Sequence, residues 1–144
     1  MASITKANDK WLVQIRRSFH KPIYKTFYSK YDAQKWARET ERLIEMGQFV
    51  DTSEANKTTL RQLIERYGRE VSPRKKSTSD KYLIKNILNH ATFIDKPLTH
   101  VSSSDIAEFR DARLKNISPS SVNRELSLIS DTITKATTEW NCYI

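Results

Sequence analysis

The sequence predicts an α+β protein: a small three-stranded sheet with one helix, followed by an all-α bundle of four or five helices. Two observations carry this prediction. Apolar residues alternate with polar ones near the N-terminus, whereas beyond residue 57 they recur at spacings of three and four. The 144 residues suffice for one medium domain or two small ones. We therefore predict a sheet-and-helix domain over 1–49, a linker over 50–57 and a helical domain over 58–144.

The predicted strands lie within the first 28 residues. Trp11, Val13 and Ile15 have the period of a half-buried strand. Residues 23–28 are rich in β-forming side chains and predict a second strand, and residues 2–6 can pair with the strand at 11–15.

One helix is predicted to follow the strands. Ser29 and Asp32 are spaced as in a capping box, and Gly47 is a natural stop. The face predicted to pack on the sheet consists of Ala33, Trp36, Ala37, Thr40 and Ile44. Residues 50–57 show no periodicity, which is the basis of the predicted linker.

Four amphipathic helices are predicted in the second half. Thr59, then Ser103 or Ser104, and then Ser118 followed by Pro119 have the character of helix starts. The first of these helices has an inward face, the second and third are marked by the residues they carry, and the last has one apolar stripe. In that order the residues are Leu60, Leu63, Ile64 and Tyr67; Tyr82, Leu83, Ile84, Ile87 and Leu88; Ile106, Phe109, Ala112 and Arg113; and Val122, Leu126, Ile129, Ile133 and Ala136.

The charge is strongly basic and unevenly placed. The formal net charge is +8, which suits nucleic acid, an anionic membrane surface or an acidic partner. Residues 1–50 hold ten basic and five acidic side chains, and no acid interrupts the six basic residues between Lys10 and Tyr31. No apolar run approaches the roughly 18 residues of a membrane span. The N-terminus lacks the apolar core of a signal peptide, and Cys142 is the single cysteine, so we expect a cytoplasmic protein.

The predicted sheet offers a candidate DNA-reading face. If Trp11, Val13 and Ile15 pack on the helix, strand parity turns the residues between them outward. An outward face of Gln, Arg, Tyr and Thr is what a sheet in a major groove would present. The alternative is an ordinary solvated face with scattered lysines. The candidate DNA-binding residues of this half are Gln14, Arg16, Arg17, Tyr24, Lys25 and Thr26.

The helical half offers a second candidate surface. A basic loop at 74–76 precedes the helix at 82–88, and hydroxyl, amide and guanidinium groups open the last helix. A positive helix end with free N–H groups suits phosphate, and Asn and Arg suit base edges. The alternative is an ordinary capped helix in a bundle. The candidate DNA-binding residues here are Lys75, Lys76, Lys81, Lys85, Ser121, Asn123 and Arg124.

Catalytic, metal and cofactor chemistry is not indicated. His20, His90 and His100 lack the spacing of metal ligands, and two glycines cannot build a phosphate-binding loop. The serines at 102–104 have no recognisable His–acid partners and are typical of helix caps. We therefore predict no catalytic residue, no metal and no cofactor.

Both halves resemble one family. The order Trp11-x-Val13-x-Ile15-Arg16, Thr26-Phe27-Tyr28-Ser29 and Asp32-Ala33-Gln34-x-Trp36-Ala37 resembles the arm-type DNA-binding domain of phage integrases. The second half is similar to the SAM-like core-binding domain of the same tyrosine recombinases. The residues that carry this second resemblance are Thr59-Leu60, Asp105-Ile106 and Ser121-Val122-Asn123-Arg124-Glu125-Leu126-Ser127.

The resemblance implies a division of labour. In this family the first domain reads distal arm sites, and the second clamps the crossover site opposite a catalytic domain. That catalytic domain supplies arginines, a His-x-x-Arg motif and a tyrosine nucleophile. No His-x-x-Arg occurs here, Tyr143 lacks such partners, and Ile144 falls about where the family's interdomain linker should begin. We therefore expect a non-enzymatic expression fragment or truncated gene product.

The same resemblance implies the partners and the location. The expected partners are double-stranded attachment-site DNA and other integrase protomers, with no membrane. The expected location is the nucleoid in the cytoplasm of a bacterium or phage-infected host. Two alternatives remain open: a helical protein-interaction module whose basic charge serves solubility, and a stand-alone DNA-binding regulator derived from an integrase fold.

Overall fold

The computed structural model describes residues 2–144 and divides into two compact units. The first unit ends at Phe49 and the second begins at Val50. The first unit contains the three-stranded sheet and one helix, and the second is helical apart from an isolated β-bridge between Thr59 and Pro97. The predicted α+β class is thus confirmed.

The first unit is a three-stranded antiparallel sheet covered by one helix. Strands β1 (Ala2–Ala7), β2 (Lys10–Ile15) and β3 (Ile23–Phe27) lie in the order β1-β2-β3. Asn8 and Asp9 form the β1–β2 turn with φ of 49° and 61°. Asn and Asp tolerate this left-handed backbone better than most side chains, which explains why a tight hairpin forms here without glycine.

Helix α1 (Lys30–Glu45) packs on one face of this sheet. Val13 and Ile15 are buried against Ala33 and Ala37, and the two small alanines allow the helix to approach the strands closely. The predicted start is confirmed, because the Ser29 side chain accepts a hydrogen bond from the Asp32 backbone N–H. The predicted stop is confirmed too: Gly47 has a φ of 67°, which glycine adopts without a Cβ penalty.

The second unit contains five α-helices. They are α2 (Ser53–Lys57), α3 (Leu60–Glu70), α4 (Asp80–His90), α5 (Ser103–Leu114) and α6 (Pro119–Thr138). Short 3₁₀ turns occupy Ser72–Arg74 and Leu98–His100. Helix α6 packs against α3, α4 and α5, so it is the element around which this unit is organised.

The core of the second unit follows the predicted apolar stripes closely. Leu60, Ile64 and Tyr67 of α3 are fully buried, and Phe93 meets Phe109 edge-to-face with ring centroids 6.1 Å apart. Both predicted caps that flank this core are present. Thr59 forms a capping box with Gln62, and Ser118 accepts from the Ser121 N–H.

Several local predictions were wrong. Residues 53–57 of the predicted linker form α2, and Ala55 is fully buried, but one apolar residue in five gives no period to recognise. Helix α5 is capped by Ser102, not by Ser103 or Ser104, because the Ser102 hydroxyl accepts from the Asp105 N–H and the Asp105 carboxylate accepts from the Ser102 N–H. Tyr82 was included in the apolar pattern that predicted α4, but it is 61% exposed.

Candidate nucleic-acid interface

The sheet face opposite α1, called the outer sheet face below, is polar and acid-free. In the ladder register Gln14 lies opposite Tyr24, and Leu12 lies opposite Thr26. None of the three strands contains Asp or Glu. The residues of this face are Ser3, Thr5, Lys10, Leu12, Gln14, Arg16, Tyr24, Thr26 and Tyr28.

Three predicted residues form a connected cluster on this face. With its amide oxygen turned toward them, Gln14 lies 2.6 Å from Arg16 Nη2 and 3.2 Å from the Tyr24 hydroxyl oxygen. The amide thus holds the guanidinium and the phenol in register. Arg16 has no ion-pair partner among residues 2–144, so its charge is available to a ligand.

Further residues of the outer sheet face were missing from the predicted set. The Lys10 ammonium lies 5.1 Å from the centre of the Tyr28 ring, a cation–π distance. Ser3 lies opposite Gln14 and Thr5 opposite Leu12, so the hydroxyls of β1 extend the polar surface. Strand parity alone could have identified these residues.

The structure does not bring Arg17 and Lys25 onto this face. Lys25 pairs with Val13, so it lies on the side of α1, where its ammonium is 5.4 Å from the centre of the Trp36 ring. Arg17 donates from Nη2 to Glu45 Oε1 of α1 at 2.7 Å. Both cations follow the parity of the buried strand positions, and both are engaged with α1 or its side chains.

A groove in the second unit, called the α6 groove below, contains a second group of candidates. It has a volume of about 800 Å³ and lies between α6, the start of α4 and the preceding loop. Asn123 and Arg124 line it together with Lys75, as predicted for a shared surface. Residues outside the predicted DNA-binding set also line it: Tyr67, Ser77, Ser79, Asp80, Leu83, Ser127, Leu128 and Asp131.

Lys75 is partly committed to the protein itself. Its ammonium lies 3.1 Å from Asp80 Oδ2 and 5.0 Å from the centre of the Tyr67 ring. The Tyr67 hydroxyl donates to the Asp131 carboxylate, and burial together with this hydrogen bond raises the pKa of Tyr67. The groove therefore has two carboxylates, which lower its affinity for phosphate relative to an acid-free surface.

The remaining candidates of this unit lie outside the α6 groove. Lys81 and Lys85 are exposed on α4, about 160° around the helix from Leu83, given 100° per residue. They share one face with each other but not with Arg124. Lys76 is exposed beyond the groove, and the Ser121 hydroxyl accepts from Ser118 Oγ at 3.0 Å as part of the helix cap.

A buried ion pair fixes the start of α6. Arg113 of α5 donates from Nη2 to Glu125 Oε1 at 2.9 Å and from Nε to Oε2 at 3.1 Å. The two side chains are only 7% and 1% exposed. Such a bidentate pair sets both the distance and the rotation of α6 against α5, and it therefore orients neighbouring Arg124 toward the groove.

Over residues 2–144, no three His, Cys, Asp or Glu side chains are grouped as metal ligands would be. Within the same range, no helix combines the length and the apolar character that a bilayer crossing requires.

Comparison with known proteins gives one informative similarity. The chain is 31% identical over 141 residues, or 98% of its length, to a Haemophilus influenzae protein named "Putative integrase/recombinase". It spans 37% of that protein's length. No protein-family model and no solved structure matches the chain. Nearly the whole chain is thus similar to one part of an integrase-type protein.

Proposed function

We propose that this chain is the DNA-binding portion of a phage-type site-specific integrase of the tyrosine recombinase class. In this proposal it recognises attachment-site DNA during integration and excision, and strand cleavage belongs to residues other than these. The first unit acts as the arm-binding domain. The second acts as a SAM-like core-binding domain, and other protomers of the integrase assemble beside it on DNA.

The observation that carries this proposal is the outer sheet face. Cations, an amide, hydroxyls and phenols share it, and no carboxylate interrupts it. Arg and Gln side chains in a major groove can form paired hydrogen bonds with guanine and adenine edges, and cations near the strands attract phosphates. The similarity of the chain to a protein named as an integrase/recombinase supports the same conclusion.

The α6 groove supports a supplementary DNA contact. Arg124 and Asn123 are exposed in the first turns of α6, and Ser127 lies one turn further on. Because Asp80 and Asp131 lie in the same groove, we expect this surface to add specificity rather than most of the affinity. Lys81 and Lys85 would contact backbone phosphates from a separate face of α4.

The test is duplex binding by the full chain over a range of salt concentrations. Binding through phosphate contacts predicts that log K falls linearly with log salt concentration. Arg16→Ala should weaken binding by about 1–3 kcal/mol and relax sequence preference, as expected for loss of a base contact. Arg38→Ala is the matched control, because Arg38 is exposed on α1 and its removal changes the net charge equally.

Two outcomes would count against the proposal. A wild-type chain that shows no salt-dependent binding to duplex would favour a protein-interaction module. Equal losses for the Arg16 and Arg38 variants would mean that net charge, rather than the outer sheet face, determines binding.

A further inference from the structure

The turn between β2 and β3 presents an unusual residue at its tip. Strand β2 ends at Ile15 and β3 begins at Ile23. Between them, the His20 backbone N–H donates to the Arg17 carbonyl at 3.2 Å and closes a four-residue turn. Phe19 is the third residue of this turn and has a φ of 64°.

A left-handed backbone at this turn position normally selects glycine or asparagine. Among residues 2–144, the other non-glycine residues with positive φ are Asn8, Asp9 and Asn141, whose short polar side chains tolerate it. Phe19 is the one bulky side chain in this set. The local backbone therefore does not favour phenylalanine here.

Side-chain packing does not favour phenylalanine at this position either. The relative exposure of Phe19 is 108%, so the ring has no apolar contact with the rest of the chain. Phe27, the phenylalanine of the sheet, behaves differently: it packs on Trp36 with ring centroids 5.6 Å apart. A fully exposed ring on a strained backbone contributes nothing to folding, and such an outlier points to function.

The surroundings of the ring indicate the kind of partner. Arg16, His20 and Lys21 are exposed beside it, and the sequence contains no acid between Lys10 and Tyr31. An apolar groove on a protein partner would not require positive charge around the ring. Duplex DNA combines phosphates for the cations with stacked bases for an aromatic ring.

We propose that Phe19 is a wedge that packs between adjacent bases at the edge of the outer sheet face and bends the duplex there. Arg16 connects the two contacts, since it belongs to the outer sheet face and directly precedes the turn. The wedge rests on the proposed DNA-binding function and adds a residue that reads deformability: base steps that unstack readily are preferred next to the sheet.

The test compares the full chain with its Phe19→Asn variant on a duplex with donor and acceptor dyes at its ends. In a series of such duplexes, 2-aminopurine replaces the base at successive positions. Asparagine suits the positive φ, so the variant should melt at the same or a higher temperature. We expect binding to weaken about tenfold, as for loss of one base–aromatic stack. Bending and the 2-aminopurine signal of unstacking should disappear, while the salt slope stays unchanged.

Leu43→Asn is the control, because Leu43 is an exposed apolar residue on α1. The DNA affinity of this variant, and the bend and 2-aminopurine signal of the duplex bound to it, should match those of the wild type. If Phe19→Asn also matches the wild type in all three, the wedge is refuted and the DNA-binding function stands. If the wild-type chain shows no salt-dependent duplex binding, both fail. Phe19-dependent binding to anionic phosphatidylserine vesicles in place of DNA would also overturn both.

Discussion

The outer sheet face and the α6 groove expose similar side chains in different electrostatic settings. On the sheet, Gln14, Arg16 and Tyr24 lie on a surface without carboxylates. In the groove, Asn123 and Arg124 share the space with Asp80 and Asp131. The comparison teaches that the placement of acids, and not net charge alone, determines how strongly a surface attracts phosphate.

The two surfaces also differ in how they are held. Backbone ladder bonds fix the outer sheet face, because register determines which side chains are neighbours. The α6 groove depends on side chains instead: the Arg113–Glu125 pair orients the start of α6, and Lys75 bridges Tyr67 and Asp80. Mutations can therefore disturb the groove without touching the sheet.

The largest expected effect comes from breaking the buried pair. Glu125→Ala leaves the Arg113 guanidinium buried and uncompensated, which typically costs about 3–5 kcal/mol. Hydrogen exchange followed by mass spectrometry should show lost protection in α5 and α6, with the sheet unchanged. The double variant Arg113→Met/Glu125→Leu removes both charges and should recover much of the stability. Equal loss of protection in both units would refute their independence.

A smaller effect is expected for selectivity at the α6 groove. Arg124 has no ion-pair partner among the described residues, so its guanidinium is free to contact a base or phosphate. Arg124→Ala should reduce discrimination between target and random duplex by about 1–3 kcal/mol and leave stability unchanged. Arg69→Ala is the control, since Arg69 is exposed on α3 away from this groove. Equal effects of the two substitutions would remove the groove from DNA recognition.

Lys81 and Lys85 allow a test of whether the second unit has a phosphate-binding face besides the groove. The double variant Lys81→Ala/Lys85→Ala should lower the salt slope by about two and weaken binding similarly for all sequences. The double variant Lys115→Ala/Lys135→Ala is the charge-matched control, because it also removes two positive charges, one at the end of α5 and one from α6. An unchanged slope for the Lys81/Lys85 variant would assign those lysines to a solvated face.

The sequence predicted the fold better than the site, for physical reasons. Strand parity and the i, i+3, i+4 pattern are local, so β2 and the core faces of α3 and α6 could be predicted from one segment at a time. The caps at Thr59 and Ser118 are equally local. Helix α2 was not predicted, because its burial depends on the rest of the bundle. A five-residue segment with one apolar residue does not reveal that burial.

The site depends on pairings between segments. Lys25 was grouped with Tyr24 and Thr26 because they are adjacent in sequence, but its ladder partner is Val13, on the opposite face. Likewise, the sequence marks Arg113 and Glu125 as charged residues, and only the packing of α5 on α6 shows that they neutralise each other. The distribution of acids around Arg124 is a tertiary property of the same kind.

The smallest expected effect is a difference in acid sensitivity between the units. The Ser102 backbone N–H and then the Lys96 ammonium, 3.0 Å away, hold the pKa of Asp105 below its usual value near 3.8. The folded state therefore binds this proton more weakly than the unfolded chain. The resulting stability is present above the unfolded pKa and is lost as pH falls through the folded pKa.

The variant Asp105→Asn should therefore be less stable than wild type at neutral pH, and this difference in stability should close in acid. Urea titrations monitored by NMR at several pH values would measure this difference in unfolding free energy for each unit. Glu108→Gln, on the same helix, is the charge control. A gap that persists unchanged in acid would show that the carboxylate's charge does not stabilise α5.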